Sequence, residues 1–141
     1  MNKMKKLGID YGDSRVGIAI TDALGITAQG METIHHNGND RIVLKRLEEI
    51  INENEVDTLV VGMPYNLKGE KAQRAETTEK FIKKLKCKFN KVKIEVVDER
   101  LTTVAAHKTM NFLNINPKKK RNLVDTISAV YILEMYINKK K

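Results

Sequence analysis

The chain has 141 residues, with 26 Lys and Arg against 18 Asp and Glu, a formal net charge of +8. Its length suits one domain with a real core, and 41% hydrophobic residues are too many for a disordered chain. No run approaches the ~20 apolar residues of a membrane span, and one cysteine, Cys87, excludes an internal disulfide or a Cys-rich zinc site.

The basic start Met1–Lys6 is followed by Asp10, Asp13 and Arg15, which interrupt the apolar run that a signal peptide needs. The expectation is a cytoplasmic protein of one domain, residues 1–141. Leu7, Ile9 and Tyr11 alternate with Gly8, Asp10 and Gly12, and Val16, Ile18 and Ile20 alternate with Gly17, Ala19 and Thr21. These period-2 runs predict a hairpin that Gly25 punctuates. A short third strand is expected at 30–34. From Asp40, taken as the N-cap, Ile42, Val43, Leu47, Ile50 and Ile51 form the stripe of an amphipathic helix.

The apolar run 58–62 predicts a strand covered on both faces. A loop with Pro64 and Gly69 precedes a helix over about 71–86, with Phe81, Ile82 and Leu85 inward. A strand over 92–98 and a helix over about 101–113 come next. Asn116-Pro117 is expected to break the chain before a last helix at about 122–137. Strands and helices in this order predict an α/β fold, a five-stranded mixed sheet flanked by helices.

Acids stand out of pattern at three places. Asp10 lies mid-strand on a face of small residues, Gly8, Gly12, Gly17, Ala19 and Thr21, where an isolated charge needs a cation or donors. Asp98 and Glu99 end a strand, where ligands gather in α/β sheets. Asp125 aligns on its helix with Ser128, Ala129 and Ile132 rather than with charges. Each has a bland alternative: a turn cap, an ion pair with Arg100, a helix-dipole acid. Together they suit Mg²⁺, which takes oxygen ligands and phosphate, and two such ions about 3.5–4 Å apart serve in-line phosphoryl displacement.

The basic surplus points to a polyanion, with aromatics at 5% too sparse for a base-stacking platform. Lys118, Lys119, Lys120 and Arg121, just before the Asp125 helix, form a candidate phosphate-gripping loop, while 139–141 is read as a solubilising end. The pair His35-His36 lacks a third metal ligand, His107 is read as surface or packing, and Cys87 lacks the partners of a nucleophile.

The stretch 8–19 with Thr21-Asp22 resembles the opening motif of the YqgF family, also called RuvX and described as Holliday junction resolvases or pre-16S rRNA nucleases. Val61-Gly62-Met63-Pro64 with Gly69, then Asp98-Glu99-Arg100-Leu101-Thr102-Thr103, then Val124-Asp125 with Ser128-Ala129 and Ile132-Leu133 are similar to its later motifs, in family order. The resemblance spans nearly the whole chain and implies an RNase H-like fold related to the RuvC resolvases, and a nuclease dependent on Mg²⁺ or Mn²⁺. It implies Asp10, Glu99 and Asp125 as metal ligands, with Asp98 a substitute for Glu99, and Arg15 and Arg100 near phosphate. Asp13 and Ser128 depart from the family pattern, where a basic residue and an alanine are common.

The leading expectation is processing of the 5′ end of pre-16S rRNA, with pre-ribosomal particles as partners and a monomer or weak homodimer as the assembly. Holliday junction resolution is the alternative, and it requires a dimer. Two further readings are an actin-like nucleotide-binding fold, suggested by Asp10-x-Gly12 with Gly17, and a non-catalytic RNA-binding factor.

Overall fold

Five strands form one mixed sheet in the order β3-β2-β1-β4-β5. Strands β1 (Lys5–Tyr11), β2 (Arg15–Thr21) and β3 (Ala28–His35) make the antiparallel half, and β4 (Val56–Met63) and β5 (Lys93–Asp98) extend it in parallel from β1. The computed structural model describes residues 5–64, 74–98 and 117–139. Helices α1 (Asp40–Asn54), α2 (Arg74–Lys88) and α3 (Pro117–Lys139) complete the described elements. The expected helix over 101–113 lies outside the described residues.

The alternation of β1 and β2 sorts the two faces. Leu7, Ile9 and Tyr11 with Val16, Ile18 and Ile20 face one core, closed by Val43, Leu47 and Ile50 of α1 and Phe81 and Leu85 of α2. On the other face Ala19 and Val60 meet Ala129, Ile132 and Leu133 of α3. Leu59 and Val61 join the first core and Val60 the second, so β4 is covered on both sides as its apolar run predicts.

Several boundaries differ from the sequence expectation. The N-cap of α1 is Asn39, whose side chain accepts from the Arg41 N–H at 3.1 Å, and Asp40 is the first helical residue. Asp40 cannot cap because its carboxylate is held by Tyr11 and Lys84. Strand β3 is longer than 30–34, since pairing runs from Ala28 opposite Thr21 to His35 opposite Arg15. Pro117 opens α3 rather than breaking the chain before it. Proline suits a first helical position, where its missing N–H has no partner to lose.

Candidate active site

Asp10 pairs with Gly17 across β1 and β2, and opposed residues of an antiparallel pair share a face. That face carries α3. A Cβ on Gly17 would run into the backbone carbonyl and Cβ of Asp125, and one on Gly8 would lie 2.5 Å from the Ala129 carbonyl oxygen. Glycine at these two positions lets the helix rest on the strands. The contact brings Asp125 over the register partner of Asp10, so acids 115 positions apart converge beside one glycine.

The Arg15 Nε–H donates to Asp125 Oδ2 at 2.7 Å, with the Asp125 side chain 16% exposed. Arg15 opens β2, on the same face as Gly17 and two positions before it. The expected phosphate contact is thus engaged by one of the expected metal ligands. Asp98 pairs with Met63, which faces the core under α1 and α2, whereas Val97 packs against the α3 side. Asp98 accordingly lies on the face opposite Asp10. The next residue of the alternation, Glu99, lies outside the described residues, as do Arg100 and His107. Residues 118–121 form part of the first turns of α3, not a loop, and their side chains lie outside the described residues.

Among the described residues, no three His, Cys, Asp or Glu side chains come together as a metal cluster. The donors present nevertheless fit a hard cation. Asp10 and Asp125 supply carboxylate oxygens, and the Arg15 guanidinium already places positive charge against Asp125. One turn along α3, the Ser128 hydroxyl is fully buried and has no hydrogen-bond partner among the described residues.

Sequence reasoning missed what anchors the turn between Asp10 and Arg15. His36 is 1% exposed. Its Nδ1 accepts from the Gly38 N–H at 3.1 Å, so Nε2 carries the proton donated to the Gly12 carbonyl at 2.9 Å. The His36 backbone N–H donates to the Ser14 carbonyl at 2.9 Å. His36 therefore ties both sides of the turn that presents the acid and the arginine, one through its imidazole and the other through its backbone N–H.

Tyr11 stacks between His36 and Phe81, and its hydroxyl donates to Asp40 Oδ1 at 2.6 Å. Burial, with the Asp40 carboxylate second, pushes the Tyr11 hydroxyl above its ordinary pKa. Burial of Asp40 opposes its ionisation, but the Tyr11 and Lys84 hydrogen bonds outweigh that and hold its carboxyl below the usual value. These contacts join residues from 25 (Tyr11 and His36) to 70 (Tyr11 and Phe81) positions apart, and no local pattern announces them.

A mixed five-stranded sheet with acids converging from its first strand and its C-terminal helix defines an RNase H-like fold. Solved structures of RuvC share it. Thermus thermophilus RuvC in complex with a Holliday junction substrate superposes with a TM-score of 0.59 at 12% identity, covering 98% of this chain and 97% of that one. A second T. thermophilus RuvC structure gives 0.55 at 12% identity, covering 97% and 96%.

The family model RuvX, described as Holliday junction resolvase, matches residues 4–139, and the chain belongs to this nuclease family. Among its relatives is a protein of Ruminiclostridium cellulolyticum named "Putative pre-16S rRNA nuclease", 51% identical over 96% of this chain and 95% of its own length. A protein of Acetivibrio thermocellus with the same name is 47% identical over 97% of both chains.

Proposed function

We propose that the chain is a metal-dependent endonuclease that trims the 5′ end of pre-16S rRNA in the cytoplasm, one domain carrying the whole activity. The observation that supports this best is the convergence of Asp10 and Asp125 beside Gly17. The names of the relatives direct it toward rRNA. No described helix is long and apolar enough to cross a membrane.

Asp10, Asp125 and Glu99 hold Mg²⁺ or Mn²⁺ in this reading. The strand parity that turns Asp98 away from Asp10 favours Glu99 over Asp98 as the third ligand. A bound divalent cation supplies charge neutralisation at the scissile phosphate. Arg15 lies against Asp125 and meets the phosphate adjoining the cut, with Arg100 and Lys118, Lys119, Lys120 and Arg121 gripping flanking phosphates. His36 keeps the turn between Asp10 and Arg15 rigid, so the acid and the guanidinium are already oriented when substrate arrives.

The second reading is cleavage of branched DNA, favoured by the description of the matching family model. Incubating the purified protein with a precursor rRNA fragment and, separately, a four-way DNA junction decides between them. Both are run with Mg²⁺, Mn²⁺ and chelator. Specific cutting of the RNA alone is expected, and symmetric cutting of the junction alone would transfer the assignment to recombination. Sedimentation of the active species tests whether it is a monomer or a weak homodimer.

A further inference from the structure

Between Lys80 and Lys93 the chain places seven lysines and no acid, which matches all but one unit of its net charge of +8. Most of these lie on α2. Phe81, Ile82, Leu85 and Phe89 turn into the core, so 3.6-residue periodicity sends Lys80, Lys83, Lys84 and Lys86 outward, and all four are exposed. Lys91 follows in the exposed turn beyond the helix.

Acids neutralise only part of this face. Lys84 pairs with Asp40 at 2.9 Å, Lys88 with Glu48 at 3.6 Å and Lys93 with Glu95 at 3.0 Å. Lys80, Lys83, Lys86 and Lys91 make no ion pair among the described residues. Like charges this dense on one helix destabilise it slightly, so a surface with no anionic partner gains nothing from them.

We infer that the outer face of α2 is a phosphate-contact surface that holds a helical arm of the nucleic-acid substrate away from the cut. The inference rests on the nuclease reading above and deepens it. The face lies across the sheet from Asp10: Tyr11 follows Asp10 in β1 but turns to the α1–α2 side, where its hydroxyl and the Lys84 ammonium share the Asp40 carboxylate. From Lys80 to Lys88 the helix rises about 12 Å at 1.5 Å per residue. That length matches three to four phosphates of one strand at about 3.4 Å each.

The chemistry favours a sugar-phosphate backbone over other anionic partners. No large apolar side chain of α2 is exposed, so the helix has nothing to insert into a lipid interface. Its aromatic residues Phe81 and Phe89 are buried, so bases cannot stack on it, and backbone phosphates and duplex shape are what it can recognise.

The test measures binding of a labelled four-way DNA junction and of a labelled pre-rRNA hairpin in chelator, across a series of KCl concentrations. The proteins are wild type, K80Q/K83Q/K86Q, and a control that removes equal charge at Lys139, Lys140 and Lys141. Loss of three phosphate contacts lowers the slope of log affinity against log salt by about two to three, and weakens binding at least ~10-fold near 0.1 M KCl. The control keeps a slope close to wild type. An unchanged slope and affinity in the α2 variant, with wild type binding normally, overturns this surface and leaves the nuclease reading intact. Wild type that binds neither nucleic acid overturns both. Binding to phosphatidylserine vesicles that the α2 variant loses, while its nucleic-acid binding stays whole, overturns the inference in favour of a membrane.

Discussion

Arg15 and Asp125, 110 positions apart, are joined by a 2.7 Å hydrogen-bonded ion pair between the start of β2 and α3. The pair gives Asp125 a positive partner that would compete with the proposed metal ion for its carboxylate. Arg15→Gln removes that competitor, so Mn²⁺ binding followed by electron paramagnetic resonance is expected to tighten several-fold. Nucleic-acid affinity is expected to fall in the same variant. Because Arg15 is about one-third exposed, the stability loss stays at ~0.5–1 kcal/mol. Weaker Mn²⁺ binding in Arg15→Gln would show that the arginine supports the carboxylate rather than competing for it.

Gly17 is the residue on which the site is assembled. A methyl group there meets the Asp125 backbone, which cannot rotate away as a side chain can. Gly17→Ala is expected to lose about 1–3 kcal/mol in urea denaturation from overpacking. It should also lose nuclease activity beyond what the remaining folded fraction explains. A variant as stable and active as wild type would mean that α3 is not seated as described.

Ser128 offers the opposite test. Its buried hydroxyl has no partner among the described residues, and such a group carries a desolvation cost of about 1–3 kcal/mol. Ser128→Ala is therefore expected to raise the melting temperature. A fall in stability would reveal a hydrogen bond that the described residues do not supply.

Asp40 makes a prediction in pH. Its carboxyl titrates below the ordinary value near 3.8, so its contribution is present above that value and lost as pH falls through the lower, folded-state pKa. Asp40→Asn keeps an acceptor for Tyr11 but gives up the charge that pairs Lys84. The expected cost is about 1 kcal/mol near neutral pH, shrinking toward zero in acid. Urea midpoints measured across pH would contradict this if the gap between the two proteins stayed constant below the ordinary Asp pKa.

Much of the fold was legible because burial writes simple periods. The alternation in β1 and β2 and the stripe of α1 each reflect one buried face, and the unbroken run in β4 reflects two. The out-of-pattern acids were equally visible, since Asp10 and Asp125 interrupt small or apolar faces. What escaped depends on contacts distant in sequence. Asp40 looked like a cap because nothing local shows that Tyr11 and Lys84 claim its carboxylate. Pro117 looked like a break because the same residue disrupts a helix interior and suits a helix start. His36 carried no sign of its place between Gly12 and Gly38, and nothing local separates Lys84 and Lys88, which find acids on α1, from Lys80, Lys83 and Lys86, which pair with none among the described residues.

In the proposed function Asp10 and Asp125 together would hold the divalent cation needed for cleavage. Single-turnover cleavage of a 5′-labelled pre-16S rRNA fragment by wild type, Asp10→Asn and Asp125→Asn tests it most directly, with binding of the same fragment measured in chelator. Each variant is predicted to cut at least ~100-fold more slowly while binding within a few-fold of wild type. Wild-type cutting that persists in chelator, or equal cutting by all three proteins, would contradict a metal held by these two acids.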